Sequence, residues 1–287
     1  MLTRQQIKYF DVFGFLVIKS SFSAEEMDAI TSEFEAAMLE DRGGLEFDGK
    51  ERQAVMGMVE RWPNLIRLAE DDRLFKTIEQ ILGEGFVWVG SDGNYWVGDT
   101  HWHPDRHDRT WPLVKAALYL DSVTKETGSL RIIPGSHRMP FWADLAPLER
   151  TMMQANLKEG ARTSEALEAL YMPGEDRGAP PMGVQGHDVP SVALETEPGD
   201  LIFFQQNLWH ASFGGQRGRR QLVLSYGLKP TNDEHFAQIR QVYGANLAGA
   251  RARGNIHNDR LFDDAFIYND SPRIRGMVAP FVELGLT

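Results

Sequence analysis

The 287-residue chain contains no cysteine. That excludes a disulfide framework and any zinc site built on thiolates. No apolar run approaches the ~18 residues of a spanning helix, so no membrane partner is expected. The N-terminus lacks the basic-then-apolar pattern of a signal peptide, and a cytoplasmic protein is expected. Positive charge is scarce: 30 Lys and Arg stand against 41 Asp and Glu, a net charge of −11. Binding a nucleic-acid backbone needs a basic footprint, so no nucleic-acid partner is expected. Pro/Ser-rich linkers, low-complexity runs and internal repeats are also missing, which favours one domain over residues 1–287. What the chain does have is core material: 42% hydrophobic residues, including Phe 16, Trp 7 and Tyr 7.

The hydrophobic period changes along the chain. Thr3-x-x-Gln6 and Ser23-x-x-Glu26 are capping boxes that open helices, the second carrying Met27, Ile30, Phe34 and Met38 at helical spacing. Asp72 to Leu82 is a third helix, closed by Gly83. Phe13 to Ile18 reads as a strand. From about residue 85 strands dominate: Phe86–Val89, His101–Asp105, Leu113–Leu120, Leu130–Ile133, Val192–Glu195, Leu201–Phe204 and Gln221–Tyr226. Residues 138–190 interrupt the pattern with a helical stretch near Glu165–Tyr171 and a Gly/Pro-rich loop. Long interruptions of this kind are commonly functional, so this insert is a candidate lid. Helix returns over Asp233–Ala248, and the last forty residues carry no clear signal. The fold class expected is mainly β with flanking helices (α+β).

The chemistry concentrates at Trp102-His103-Pro104-Asp105 and Trp209-His210-Ala211-Ser212. On a strand, residues i and i+2 share a face, so His103 and Asp105 point into one pocket while Pro104 points away. Two imidazoles and one carboxylate form the facial set of a mononuclear non-haem iron(II) centre, leaving three metal positions open. The distance in sequence to His210 implies a closed or sandwiched sheet. A second His-x-Asp, His257-Asn258-Asp259, has no later histidine to complete a set. His101 shares the face of His103 and reads as a pocket wall; His107 and His137 read as loop residues, and His187 lies in a segment without strand pattern.

The flanking residues carry a family resemblance. Glu126-Thr127-Gly128-Ser129-Leu130 with Ile133-Pro134-Gly135-Ser136-His137, the stretch Glu197–Phe204 with Leu208–Ser212, and Arg219–Tyr226 resemble the phytanoyl-CoA dioxygenase family. The opening Tyr9–Ile18 is similar as well, so the resemblance runs from about residue 3 to 230. It implies a double-stranded β-helix (jelly-roll) core, iron(II), 2-oxoglutarate and dioxygen, and oxidation of a small molecule with release of succinate and carbon dioxide. It assigns His103, Asp105 and His210 to the metal and Arg219 to the far carboxylate of 2-oxoglutarate. A guanidinium suits that task because it grips a carboxylate through two parallel hydrogen bonds. Arg217 and Arg220 are the competitors.

Around this set, Ser212 shares the face of His210 and could bond the same carboxylate; the alternative is a turn serine. Lys115, Ala117 and Tyr119 share one face of their strand. If that face is inward, Lys115 and Tyr119 line the cosubstrate pocket; otherwise they are a solvated lysine and a structural tyrosine. Arg106 and Arg109 offer an anionic substrate a partner, against the plainer reading of solvated loop arginines. Trp88, Trp96, Trp102 and Trp209 are read mostly as core. Because Asp105 is present, hydroxylation or another oxidation is expected instead of halogenation. Two other functions stay open: a cupin-like metalloenzyme that does not use 2-oxoglutarate, and a non-catalytic jelly-roll binding protein.

Overall fold

The computed structural model describes residues 1–149, 184, 186–215, 218–255 and 260–286. Ten strands lie among them: β1 (Phe15–Ile18), β2 (Gln53–Met56), β3 (Val87–Trp96), β4 (Thr100–His103), β5 (Leu113–Tyr119), β6 (Leu130–Ile132), β7 (Val192–Leu194), β8 (Leu201–Gln205), β9 (His210–Ser212) and β10 (Arg219–Gly227). They form a six-stranded sheet in the order β1-β8-β5-β10-β3-β2 and a four-stranded sheet in the order β4-β9-β6-β7. Every pairing in both sheets is antiparallel. The chain crosses between the sheets repeatedly, which is how His210 reaches His103.

The six-stranded sheet has two different faces, and strand periodicity assigns them. Ala116, Leu118, Leu222 and Leu224 face outward into the main core with the helices. That core includes Phe34 of helix Ala24–Asp41, Ile78 of helix Asp72–Leu82, Ile239 of helix Asp233–Arg253 and Phe281 of helix Pro272–Glu283. Ala117, Tyr119, Ile202, Phe204 and Val223 face inward and meet Leu130, Ile132 and Leu194 of the smaller sheet. A third cluster gathers Trp102, Trp209 and Phe213 behind the smaller sheet. The metal motif lies at the edge between the second and third clusters.

The capping boxes at Thr3 and Ser23 both form. The first strand is shorter than the sequence suggests: Phe13 ends helix Arg4–Phe13, and Gly14, at φ +81°, turns the chain into β1. Strand β2 and the helix Pro272–Glu283 were not legible, and helix Asp233–Arg253 runs further than Ala248. The helix Glu165–Tyr171 and most of the 138–190 insert lie outside the described residues, as do Arg217 and the His257-x-Asp259 pair. No helix among the described residues is long and apolar enough to cross a membrane.

Candidate active site

Strands β4 and β9 bring the two histidines together. Thr100 pairs with Ser212 and His103 with His210, so β4 takes three steps where β9 takes two. That is a bulge, and it breaks the simple alternation of faces. Thr100 and His103 both line the cavity between the sheets. His101 does not share their face, contrary to the expectation from spacing; its ring packs against Phe213 at 5.8 Å. The strand also stops at His103, and Asp105 reaches the cavity from the bend after Pro104. Proline cannot donate to a ladder, which is why the strand ends there.

His103, Asp105 and His210 each offer a ligand atom within 4.8 Å of the other two. The His103 Nδ1–H donates to the carbonyl of His101 at 2.6 Å, and the His210 Nδ1–H to that of Leu208 at 2.8 Å. A carbonyl only accepts, so each ring carries its proton on Nδ1 and leaves the Nε2 lone pair free. Such bonds fix the tautomer and orientation of metal-binding imidazoles. Burial pushes the His103 ring down to about 4, helped by its neighbour His210. Burial lowers His210 in the same way. Burial by itself would raise Asp105, but Lys115 and the two imidazoles hold its carboxyl well below the usual range. At neutral pH the set is therefore two neutral imidazoles and a carboxylate, so a cation meets no proton to displace. The Asp105 Oδ1 is 2.8 Å from the Lys115 Nζ. Its Oδ2 is buried with no hydrogen-bond partner among the described residues, 3.7 Å from the His210 Nε2. This donor set of nitrogen and carboxylate oxygen, without thiolate, fits iron(II).

The cavity holds about 220 Å³, and Arg219 is part of its wall. Arg219 is buried at 6% exposure, yet its Nε and Nη1 find no acceptor among the described residues. Burial lowers its guanidinium below its ordinary value. A buried guanidinium whose N–H groups lack acceptors is costly and is normally paired, so this part of the cavity wall fits a carboxylate. Tyr119 lies beside it on the inward face of β5; burial raises its phenol while the Arg219 charge pulls it partly back. Ser212 lines the cavity, and its hydroxyl donates to the Gly128 carbonyl at 2.7 Å. To donate to a cosubstrate it would have to turn from that carbonyl. Lys115 lines the cavity through its contact with Asp105. Arg220 faces the other way, bridging Asp121 and Glu35.

The residues around the ligands brace them. The Ser136 hydroxyl accepts the Trp209 N–H at 2.9 Å, and the Trp209 carbonyl accepts the Ile133 N–H at 3.0 Å. The backbone just before His210 is thus held from both sides. Gly135 donates to the Phe13 carbonyl at 2.9 Å, tying this turn to the N-terminal helix. His137 is buried against that helix, at 3.3 Å from the Asp11 carbonyl, and so is part of the brace. Asp200 performs the same service elsewhere: it accepts from the backbone of Ser20 and Glu197 and pairs with Lys19.

A second chamber of about 290 Å³ adjoins the first and shares Met56, Asp92, Asp105 and Lys115 with it. Its own wall includes Arg106, Gln206, Ser225 and Asn246. Arg106 is not a solvated loop residue. Its Nη2 donates to Gln238 at 2.7 Å, and its buried Nε has no partner among the described residues. Arg109 instead sits 5.6 Å over the ring of Trp142 and borders a separate cavity. His107 bonds Glu149 and His187 is exposed beside Asp188, both away from the triad. Of Trp88, Trp96, Trp102 and Trp209, only Trp96 lines the cavity; Arg52 stacks 3.5 Å over its ring.

Sequence reading missed Arg52, Asp92, Trp96, Thr100 and Gln221 as cavity residues. Gln221 was within reach, because it shares the face of Arg219 two residues on; it accepts from Trp96 Nε1 at 2.8 Å. The others depend on cross-strand register, which the sequence does not display.

The profile for phytanoyl-CoA dioxygenase (PhyH) matches residues 10–220. An ectoine dioxygenase from Sphingopyxis alaskensis is 27% identical over 235 residues, covering 74% of this chain and 71% of that protein. Among solved structures, HygX from Streptomyces hygroscopicus with nickel and 2-oxoglutarate bound superposes with a TM-score of 0.55 at 22% identity, over 80% of this chain and 88% of that one. AviO1 from Streptomyces viridochromogenes gives a TM-score of 0.56 at 18% identity, over 81% of this chain and 98% of that one. These likenesses are of fold.

Proposed function

The chain belongs to the phytanoyl-CoA dioxygenase family of iron(II)- and 2-oxoglutarate-dependent oxygenases, and from that premise we propose which of its residues do the work and what class of molecule it oxidises. His103, Asp105 and His210 hold the iron. Arg219 holds the far carboxylate of 2-oxoglutarate, with Tyr119 and Ser212 as neighbours. The observation that carries this reading is one cavity lined both by a converging His-Asp-His set and by a buried guanidinium whose Nε and Nη1 have no acceptor among the described residues.

Bound iron(II) supplies the redox chemistry that couples decarboxylation of 2-oxoglutarate to oxidation of a substrate by dioxygen. The chain's own part is positioning. The His101 and Leu208 carbonyls aim the imidazoles. Arg219 orients the cosubstrate, and the apolar wall of Leu130, Phe204 and Val223 limits water.

The substrate is a small molecule, as it is for the ectoine dioxygenase relative by its name. We place it in the second chamber. The polar wall there, and the unpaired Arg106 Nε, support a polar substrate carrying an anionic group. The net charge of −11 supports a small metabolite over a nucleic acid. The packing of helix Pro272–Glu283 on β3 supports a single catalytic domain.

The test is anaerobic titration of the purified protein with iron(II) and 2-oxoglutarate, watched for the visible metal-to-ligand band. A screen of small carboxylate metabolites for succinate release follows. Absence of the band at saturating iron and cosubstrate would refute the assignment.

A further inference from the structure

Lys115 is hard to explain as a cosubstrate ligand or as a structural residue. It sits on the inward face of β5, mid-sheet, in register with Phe204 of β8 and Ser225 of β10. Its ammonium borders both chambers, and its bond, at 2.8 Å, goes to Asp105 Oδ1. The pair is largely enclosed, with side chains 20% and 18% exposed. An enclosed ion pair is a poor source of stability, because desolvation offsets most of the attraction, and apolar residues of the same size serve as well or better. Stability therefore does not account for a lysine aimed into a cavity.

The two carboxylate oxygens are in different situations. Oδ1 is occupied by Lys115, while Oδ2 has no partner among the described residues and lies 3.7 Å from the His210 Nε2. A free carboxylate can bind a cation with one oxygen or with both. The difference matters for a three-ligand centre. Three positions must stay open, two for a 2-oxo acid and one for dioxygen. A second carboxylate oxygen would take one of them.

We propose that Lys115 is a positioning residue for Asp105: by holding Oδ1 it leaves Oδ2 as the single oxygen offered to the metal and keeps the dioxygen position open. This rests on the assignment of His103, Asp105 and His210 as ligands. Strand β5 is bonded on both sides, by β8 and β10, so its backbone has no freedom to withdraw the side chain.

The experiment uses Lys115→Met, Lys115→Gln and Lys115→Arg with nitric oxide as a dioxygen probe, read by electron paramagnetic resonance under anaerobic conditions. Wild-type protein with iron(II) and 2-oxoglutarate should bind nitric oxide. Lys115→Met should still bind iron(II) and develop the 2-oxoglutarate band. Its nitric oxide affinity should fall by about 10- to 100-fold, the size of effect that residues orienting a metal ligand commonly have on metal affinity or activity. Lys115→Arg should restore it and Lys115→Gln should lie between. If Lys115→Met does not fold, the Gln and Arg variants carry the same comparison. Nitric oxide binding unchanged in every variant overturns the proposal. Loss of 2-oxoglutarate binding with iron binding intact also overturns it, and makes Lys115 a cosubstrate residue. If the wild type binds no iron, it is the ligand assignment that fails.

Discussion

Gly128 lies against the guanidinium of Arg219 so closely that a Cβ on Gly128 would fall 1.6 Å from Nη1. Gly128 also has a φ of +94°, in the region that side chains avoid. The same residue's carbonyl accepts the Ser212 hydroxyl. One backbone position thus sets both Arg219 and a cavity residue of β9. A Cβ on Gly215 would likewise approach the same Nη1 to 2.6 Å.

Gly128→Ala should therefore damage cosubstrate binding more than folding. The backbone strain is worth about 1–2 kcal/mol, which thermal unfolding can read. Displacement of Arg219 should raise the 2-oxoglutarate concentration for half-saturation by at least about tenfold, equivalent to ~1.4 kcal/mol. An unchanged cosubstrate titration would show that Arg219 does not need this close approach.

Arg219 and Arg220 are neighbours with opposite fates, which gives a sharper comparison. Arg219→Ala should raise the 2-oxoglutarate requirement steeply, by on the order of 2–5 kcal/mol, as for other truncated partners of a buried charge. Arg220 bridges Glu35 and Asp121 at the surface of the sheet. Arg220→Ala should leave the cosubstrate titration alone and cost about 0–1 kcal/mol of stability. The opposite ranking would move the carboxylate site to the other face of β10.

For the metal ligands, His103→Ala and His210→Ala should abolish iron binding while leaving the fold. Each ring hydrogen-bonds a carbonyl two residues earlier, and the packing that is lost is confined to the contact between the two rings and that of His210 with Phe204. Metal content after reconstitution, together with circular dichroism, checks this. A stoichiometric iron site in either variant would remove that histidine from the set.

The parts of the site that could be read from the sequence are those carried by residue type and by a period of two. Lys115 and Tyr119 were placed together by alternation, and both line the cavity. His103 and His210 stood out by chemistry and flanking residues. The bulge in β4 could not be read, and it removed His101 from the cavity face. Strand β2 is four residues long, too short for a periodic signal. Helix Pro272–Glu283 has proline at its start, a usable cue, but Pro280 and Gly276 inside it blur the pattern. The second chamber arises from four strands and a helix meeting, and no local signal marks such a place.

The last prediction concerns pH. Glu60 is wholly buried between the sheet and the helices, where its carboxylate accepts from Trp88 Nε1 at 2.8 Å and from the Ser91 hydroxyl. Burial raises its carboxyl above the ordinary value near 4.5, and the two hydrogen bonds offset this only in part. A raised value in the folded state means that the folded protein holds this proton more tightly than the unfolded chain does. The resulting stabilisation is fully present below the unfolded value and is lost as pH rises through the folded value. Above that window the ionised group weakens the fold. Glu60→Gln keeps the shape and an acceptor oxygen but carries no charge, so it should melt higher than wild type at pH 8. The gap should narrow as the pH is lowered toward the ordinary carboxyl value, because the wild-type carboxyl regains its proton on the way. Thermal unfolding of both proteins in parallel from pH 5 to 8 makes the comparison. A gap that stays constant across the range, or a variant less stable than wild type at pH 8, would show that Trp88 and Ser91 fully compensate the charge.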